Sequence, residues 1–152
     1  MAERYTPGDP SVAAPSERPG GLLFLASQAA QQLANERLSP LGITGREFGV
    51  LTLLASAGEL SQQAIGEQLR IDRTTMVAMI DALEQAGFVR RERNPDDRRA
   101  YAVKLTPKGR ARQGRGAETL DHARDEFFAP LSKREREQLL ALLKRLVQRG
   151  GK

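Results

Sequence analysis

Residues 60–109 constrain the fold of this chain more than any other segment, because the order of their predicted elements is specific. Ser61 and Asp72 have side chains that cap helix N-termini, and each precedes a short segment with apolar residues at helical spacing. Two strand-like runs follow at residues 88–93 and 100–105, separated by the turn sequence Asn-Pro-Asp-Asp-Arg-Arg. Helix, tight turn, helix and β-hairpin, in that order, predict a winged helix-turn-helix.

Further helices are predicted on both sides of this segment. Residues 22–38 repeat apolar side chains at steps of three and four, and Thr44 forms a capping box with Glu47 before the next helix. Thr106 caps a helix after the hairpin, and Ser132 caps the last one. The leucine-rich face of that last helix is wider than one neighbouring helix can cover, which predicts a partner chain.

These patterns predict a mainly α fold with a small β-hairpin wing and with dimerisation helices at both ends of the chain. Residues 1–20 are rich in proline and glycine and predict a disordered N-terminal arm. Residues 21–43 would contain the first dimerisation helix, and residues 44–105 the winged helix-turn-helix lobe that binds DNA. Residues 106–150 would contain the C-terminal dimerisation helices.

Composition excludes several classes of function. The chain has 152 residues, a formal net charge of +5 and no cysteine, which excludes disulfides, thiolate metal sites and thiol redox sensors. The single histidine, His122, cannot form a histidine-rich metal site. Neither a phosphate-binding loop nor a nucleophile motif occurs, so we expect no enzyme and no cofactor. The sequence also has no secretory leader and no apolar run long enough for a membrane helix, which predicts a cytoplasmic protein.

The second helix of the predicted motif supplies the first candidates for DNA contact. Such a helix enters the major groove by its N-terminal end, which here consists of Arg73, Thr74 and Thr75. Threonine hydroxyls bond phosphates or base edges, and Val77 is placed to contact a thymine methyl group. The alternative for Thr74 and Thr75 is a solvent-exposed face that merely follows the cap.

The predicted hairpin concentrates positive charge in five arginines: Arg90, Arg91, Arg93, Arg98 and Arg99. Because a narrow ribbon cannot bury five guanidinium groups, we expect all of them to face water or a polyanion. Arg93, Arg98 and Arg99 are the candidate DNA contacts, since an arginine at a hairpin tip can reach a minor groove. Asp97 is close enough to hold and aim Arg99. The alternative for Asp97 is an ordinary surface ion pair.

Together these residues resemble the MarR family of bacterial transcription regulators. The similarity rests on the runs DRTTMVAMIDALEQAGFVRR, NPDDRRA and LTPKG and extends over residues 22–147. The resemblance implies a homodimer on a pseudo-palindromic operator in double-stranded DNA, with the helix from Arg73 in the major groove. It implies that the wing enters the minor groove, where Asp97 and Arg99 match the aspartate-x-arginine of the family.

The resemblance also implies how the protein is regulated. Family members commonly repress a gene and leave the DNA when a small aromatic or phenolic ligand binds, and here Arg46 and Phe48 are the candidate wall residues of that ligand site. Ser61 and Gln62 begin the supporting helix, which commonly contacts phosphate.

One departure from the family concerns base reading. Many members have a polar residue followed by arginine where this chain has Val77 and Ala78, so base reading would depend more on Arg73, Thr75 and apolar contacts. Two other functions stay open on the sequence alone. One is a winged-helix module that binds protein, with its arginines serving solubility, and the other is a small-molecule binding protein without a role on DNA.

Overall fold

A computed structural model describes residues 15–93, 95–96 and 101–149 of the chain. Two short 3₁₀ helices, Pro15–Glu17 and Ser39–Leu41, accompany the regular elements. Within the described ranges we number the elements α1 (Pro19–Leu38), α2 (Gly45–Ala57), β1 (Glu59–Ser61), α3 (Gln62–Leu69), α4 (Arg73–Gln85), β2 (Val89–Arg93), β3 (Tyr101–Leu105), α5 (Pro107–Phe127) and α6 (Lys133–Arg149). The predicted fold class, mainly α with a small wing, is confirmed.

The helix starts that were predicted from caps, those of α2 to α6, are confirmed by hydrogen bonds at these caps. The Thr44 hydroxyl accepts from the backbone N of Glu47 at 3.2 Å, and the Glu47 carboxylate accepts from the backbone N of Thr44 at 2.7 Å. The Ser61 hydroxyl accepts from the third residue of α3, and that of Thr106 from the third residue of α5. These bonds satisfy N–H groups that a helix leaves without an internal partner, so they determine where the chain bends.

The start of α1 differs from the predicted one. The helix begins at Pro19, before the predicted residue 22, because proline has no N–H to lose at the first position of a helix. The last part of the predicted arm is therefore helical from Pro15, with a bend at Arg18, whereas residues 1–14 lie outside the described residues.

The described strands form an antiparallel sheet in the order β1-β3-β2. The two strands of the predicted hairpin pair from Val89 with Leu105 to Arg93 with Tyr101. Strand β1 was not predicted, because three residues are too few to show an alternating pattern. Its central residue, Leu60, lies opposite Val103, and the strand joins the end of α2 to the base of the wing.

The hydrophobic core lies where α2, α3, α4 and the sheet meet, under the carboxyl-terminal end of α1. Its fully buried side chains come from all of these elements: Leu38, Val50, Leu51, Leu54, Ile65, Met76, Ile80, Leu83, Val89 and Val103. Helix α5 approaches α2 closely at Gly116, where a β-carbon would lie only 2.7 Å from the Phe48 ring. Among the described residues, no helix is long and apolar enough to cross a membrane.

Candidate nucleic-acid interface

Helices α3 and α4 are joined by a tight turn whose geometry is set locally. Arg70 ends α3 in the left-handed conformation with φ of 53°, and a β-carbon at Gly66 would lie 3.1 Å from the Ile71 carbonyl oxygen. The Asp72 carboxylate then caps α4, accepting from the backbone N of Thr75 at 2.9 Å and from its hydroxyl at 2.6 Å. These hydrogen bonds from Thr75 lower the pKa of Asp72, because they stabilise the charged form.

The N-terminal face of α4 exposes three of the four contact residues that were predicted on this helix. Arg73 and Thr74 are exposed, and Val77 is 38% exposed. Thr75 is half-buried, and its hydroxyl proton is donated to Asp72. The face therefore offers one guanidinium, one exposed threonine and one apolar side chain.

The other predicted contact residues have different surroundings. Ser61 is half-buried as the cap of α3, and its oxygen accepts from Ala64. Gln62 is half-buried at the first position of α3, and Arg93 is exposed at the end of β2. The predicted wing residues Asp97, Arg98 and Arg99 lie outside the described residues.

Arg91 corrects the expectation that all five hairpin arginines face water or a polyanion. Its side chain is only 22% exposed. One terminal nitrogen donates to Glu84 at 2.7 Å, and the other donates to Asp81 at 2.6 Å and to the Gln62 amide oxygen at 3.2 Å. Burial alone would lower the pKa of Arg91, but the hydrogen bonds and charges of Asp81 and Glu84 outweigh it and raise the pKa.

The alternation of side chains along β2 could have shown from the sequence that Arg91 lies on the inward face of the strand. Val89 is buried, so Arg91 lies on the same face of the strand, toward α4, whereas Arg90 and Glu92 lie on the other face. On that other face Arg90 pairs with Glu92 at 2.9 Å, and Lys104 pairs with both Glu92 and Glu59. Hydrogen bonding by Lys104 to Glu92 raises the pKa of Lys104 and lowers that of Glu92.

A second set of contacts joins the end of α4 to the start of α5. The Thr106 hydroxyl donates to the Gly87 carbonyl at 2.6 Å, and the Lys108 ammonium donates to the Ala86 carbonyl at 2.8 Å. Gly109 lies so close to Phe88 that a β-carbon there would be 1.8 Å from the Phe88 carbonyl oxygen. Hydrogen bonds therefore hold the start of α5 directly against the carboxyl-terminal end of α4.

An open cleft of about 770 Å³ lies between α4 and the helices α1, α2 and α5. Its walls include Ala34 of α1, Arg46 of α2, Met79 of α4 and Leu120 of α5, and Thr75 also borders it. Arg46 was predicted as a wall residue of a ligand site and does line this cleft. Phe48, the other predicted wall residue, is not in the described lining and instead packs against the position of Gly116.

Two helices expose apolar side chains that a monomer would normally cover. The first turns of α1 expose Leu22, Leu23, Phe24 and Leu25, with Phe24 60% exposed. On α6 the exposed apolar residues are Leu140, Leu142, Leu146 and Val147. Both sets lie outside the α2–β3 lobe that contains the core.

Comparison with known proteins shows which family has this architecture. The MarR family model matches residues 43–101. The multiple antibiotic resistance protein MarR of Salmonella typhimurium is 37% identical over 60% of this chain, and the match spans 64% of that protein, which is less than two thirds of its length.

Two solved structures extend the likeness over most of the chain. A mutant of MarR from Escherichia coli, complexed with operator DNA, is 32% identical with a TM-score of 0.79, covering 84% of this chain and 91% of that one. The transcriptional repressor CouR, bound to a 23-mer DNA duplex, is 33% identical with a TM-score of 0.82, covering 87% and 94%. The capped helix pair, the wing and these similarities together show that the chain belongs to the MarR family of transcription regulators.

Proposed function

We propose that this chain is a homodimeric regulator that binds a pseudo-palindromic operator, with α4 in the major groove and the wing in the minor groove. The observation that carries the proposal is the exposed N-terminal face of α4, with Arg73, Thr74 and Val77 directed away from the core. The DNA complexes of the Escherichia coli MarR mutant and of CouR support it, because both proteins share this fold.

The chemistry of each side chain on α4 suggests a different contact. Arg73 offers a bidentate fork that fits a phosphate or a guanine edge, and Thr74 offers a hydroxyl to a phosphate. Thr75 donates its proton to Asp72, so toward DNA it can only accept, as from the amino group of adenine or cytosine. Val77 fits a thymine methyl group.

The remaining predicted contacts belong to the wing and to the start of α3. Arg93 is exposed at the end of β2, and we assign Arg98 and Arg99 to the minor groove with Asp97 aiming Arg99. Ser61 and Gln62 stand at the N-terminus of α3, where the free backbone N–H groups and the helix dipole favour a phosphate.

The exposed apolar residues of α1 and α6 suit a second copy of the chain. Leaving these large side chains in water is unfavourable, since each contributes roughly 1.5–3 kcal/mol when fully buried. A two-fold dimer that buries both sets would present two copies of α4, which matches the symmetry of a palindromic operator.

The cleft between α4 and the dimerisation helices suggests how binding is regulated. We propose that a small aromatic or phenolic carboxylate enters it, with Arg46 pairing the carboxylate. Because Thr75 and Met79 of α4 border the same cleft, an occupant would shift α4 and release the operator, as expected of a repressor.

The experiment compares two charge-matched variants on DNA from the region flanking the gene. Arg73→Ala should weaken operator binding by roughly tenfold or more and reduce discrimination between base sequences. Arg115→Ala removes the same charge from an exposed position of α5 and should bind as the unmodified protein does. Equal losses for both variants would show that overall charge, and not the face of α4, determines binding.

A further inference from the structure

The guanidinium of Arg91 lies where three elements meet: the start of α3, the carboxyl-terminal half of α4 and strand β2. It donates to Gln62 of α3, and to Asp81 and Glu84 of α4. The backbone N of Arg91 also donates to the Glu84 carboxylate at 3.0 Å, so both oxygens of Glu84 are held by one residue. No other described arginine joins α3, α4 and the wing in this way.

The contact with Gln62 determines which way its amide group faces. A guanidinium has N–H donors and no acceptor, so only the amide oxygen of Gln62 can face Arg91. The NH₂ of the same planar group then points away from the guanidinium. Gln62 occupies the first position of the eight-residue α3, at the helix end that favours phosphate, and a phosphate accepts hydrogen bonds only. Arg91 therefore leaves the NH₂ of Gln62 available as the donor that a phosphate contact requires.

The charges around Arg91 argue that it does not contact DNA itself. Its single positive charge lies within 2.7 Å of carboxylate oxygens of both Asp81 and Glu84, which leaves the cluster with a net negative charge. A phosphate that approached the guanidinium would meet two carboxylates. The side chain of Arg91 is also only 22% exposed, whereas that of its neighbour Arg90 is 58% exposed.

We propose that Arg91 is a positioning residue for operator recognition: it orients the Gln62 amide to donate to a DNA phosphate and holds the wing strand against α4. The inference rests on the proposed operator binding. Its consequence is that Arg91 influences specific affinity without adding to the number of phosphates that the protein neutralises.

The test measures the operator Kd over a range of salt concentrations, together with the melting temperature of each variant. Arg91→Gln should weaken operator binding by roughly tenfold or more, as expected when a hydrogen bond to a charged group is lost. The slope of log K against log salt should stay unchanged. Arg90→Gln removes the same charge one residue away on the other face of β2 and should lose much less affinity.

Two further variants keep the inference testable if Arg91→Gln is unstable. Arg91→Lys keeps the charge but replaces the planar fork with a compact ammonium, so it should also lose affinity. Gln62→Ala should lose affinity in the unmodified protein and lose little more when Arg91 is already replaced, because the two residues act through one contact.

Several results would overturn the inference. These are unchanged operator affinity in Arg91→Gln or Arg91→Lys, equal losses in Arg91→Gln and Arg90→Gln, or fully additive losses with Gln62→Ala. A salt slope reduced by about 0.9 in Arg91→Gln would instead make Arg91 a direct phosphate ligand. If the unmodified protein protects no DNA segment at all, the proposed function itself fails, which is a separate outcome.

Discussion

The contact between α5 and the end of α4 yields a prediction with an internal control. Gly109 and Gly114 lie in the same helix, α5, yet their surroundings are opposite. A β-carbon at Gly109 would lie 1.8 Å from the Phe88 carbonyl oxygen and 2.7 Å from the Phe88 carbonyl carbon. A β-carbon at Gly114 would have no heavy atom within 4 Å. Alanine should therefore be destabilising at the first position and stabilising at the second.

The loss of stability expected for Gly109→Ala follows from the backbone shift that the substitution requires. Real β-carbons essentially never approach other atoms within 3.0 Å, so α5 or the Phe88 backbone must shift by more than an ångström in Gly109→Ala. Three hydrogen bonds span this junction, two from Thr106 and one from Lys108. Losing them costs about 3 kcal/mol at about 1 kcal/mol each. The better helix propensity of alanine returns about 1 kcal/mol, which leaves a net loss of about 2 kcal/mol.

Thermal unfolding at one fixed protein concentration measures the difference in stability between each variant and the unmodified chain. For a chain of this length, about 2 kcal/mol lowers the melting temperature by roughly 4–8 °C, whereas Gly114→Ala should raise it by roughly 2–4 °C. A Gly109→Ala protein that melts at or above the temperature of the unmodified chain would refute the reasoning. It would mean that the close approach of α5 to Phe88 is not maintained in solution.

Four other predictions concern stability at low pH, the wing, the dimer and the cleft. The folded-state pKa of Asp72 lies below its ordinary value of 3.8, so its stabilising effect is complete above that pH and is lost as the pH falls through the folded-state value. Asp72→Asn should therefore flatten the loss of unfolding free energy in acid titrations followed by circular dichroism. Arg99→Ala should weaken operator binding by roughly tenfold or more while light scattering still detects a dimer; unchanged binding would contradict the wing assignment. Leu146→Glu, at a position 58% exposed in the single chain, should produce monomers in size-exclusion chromatography, and an intact dimer would exclude α6 from the interface. Arg46→Ala should raise the concentration of an aromatic carboxylate needed for operator release about tenfold, and an unchanged requirement would remove Arg46 from the ligand site.

Local signals in the sequence were sufficient for much of the fold. Caps such as Thr44, Ser61 and Asp72 act within three residues of themselves, so the bends they impose can be predicted from short segments. The alternation of β2 and β3 and the turn residues between them are local in the same sense. The order of helices and strands was therefore predictable, apart from the short β1.

The parts that were missed depend on distant residues. Alternation along β2 could have placed Arg91 on the inward face of the strand, but its partner Gln62 is 29 positions away, and only the folded chain brings the two together. The same applies to Phe48, which the sequence suggested as a ligand wall but which packs against Gly116 of α5. Thr75 illustrates a third limit, because its hydroxyl belongs to the cap of α4 as well as to the face proposed to meet DNA.

The most direct test of the proposed operator binding is a footprint on DNA from the region flanking the gene, with affinity measured as salt is raised. The proposal predicts one protected pseudo-palindrome whose half-sites are about one helical turn apart, and a steep loss of affinity with salt. An absence of protection together with an affinity that does not change with salt would contradict it.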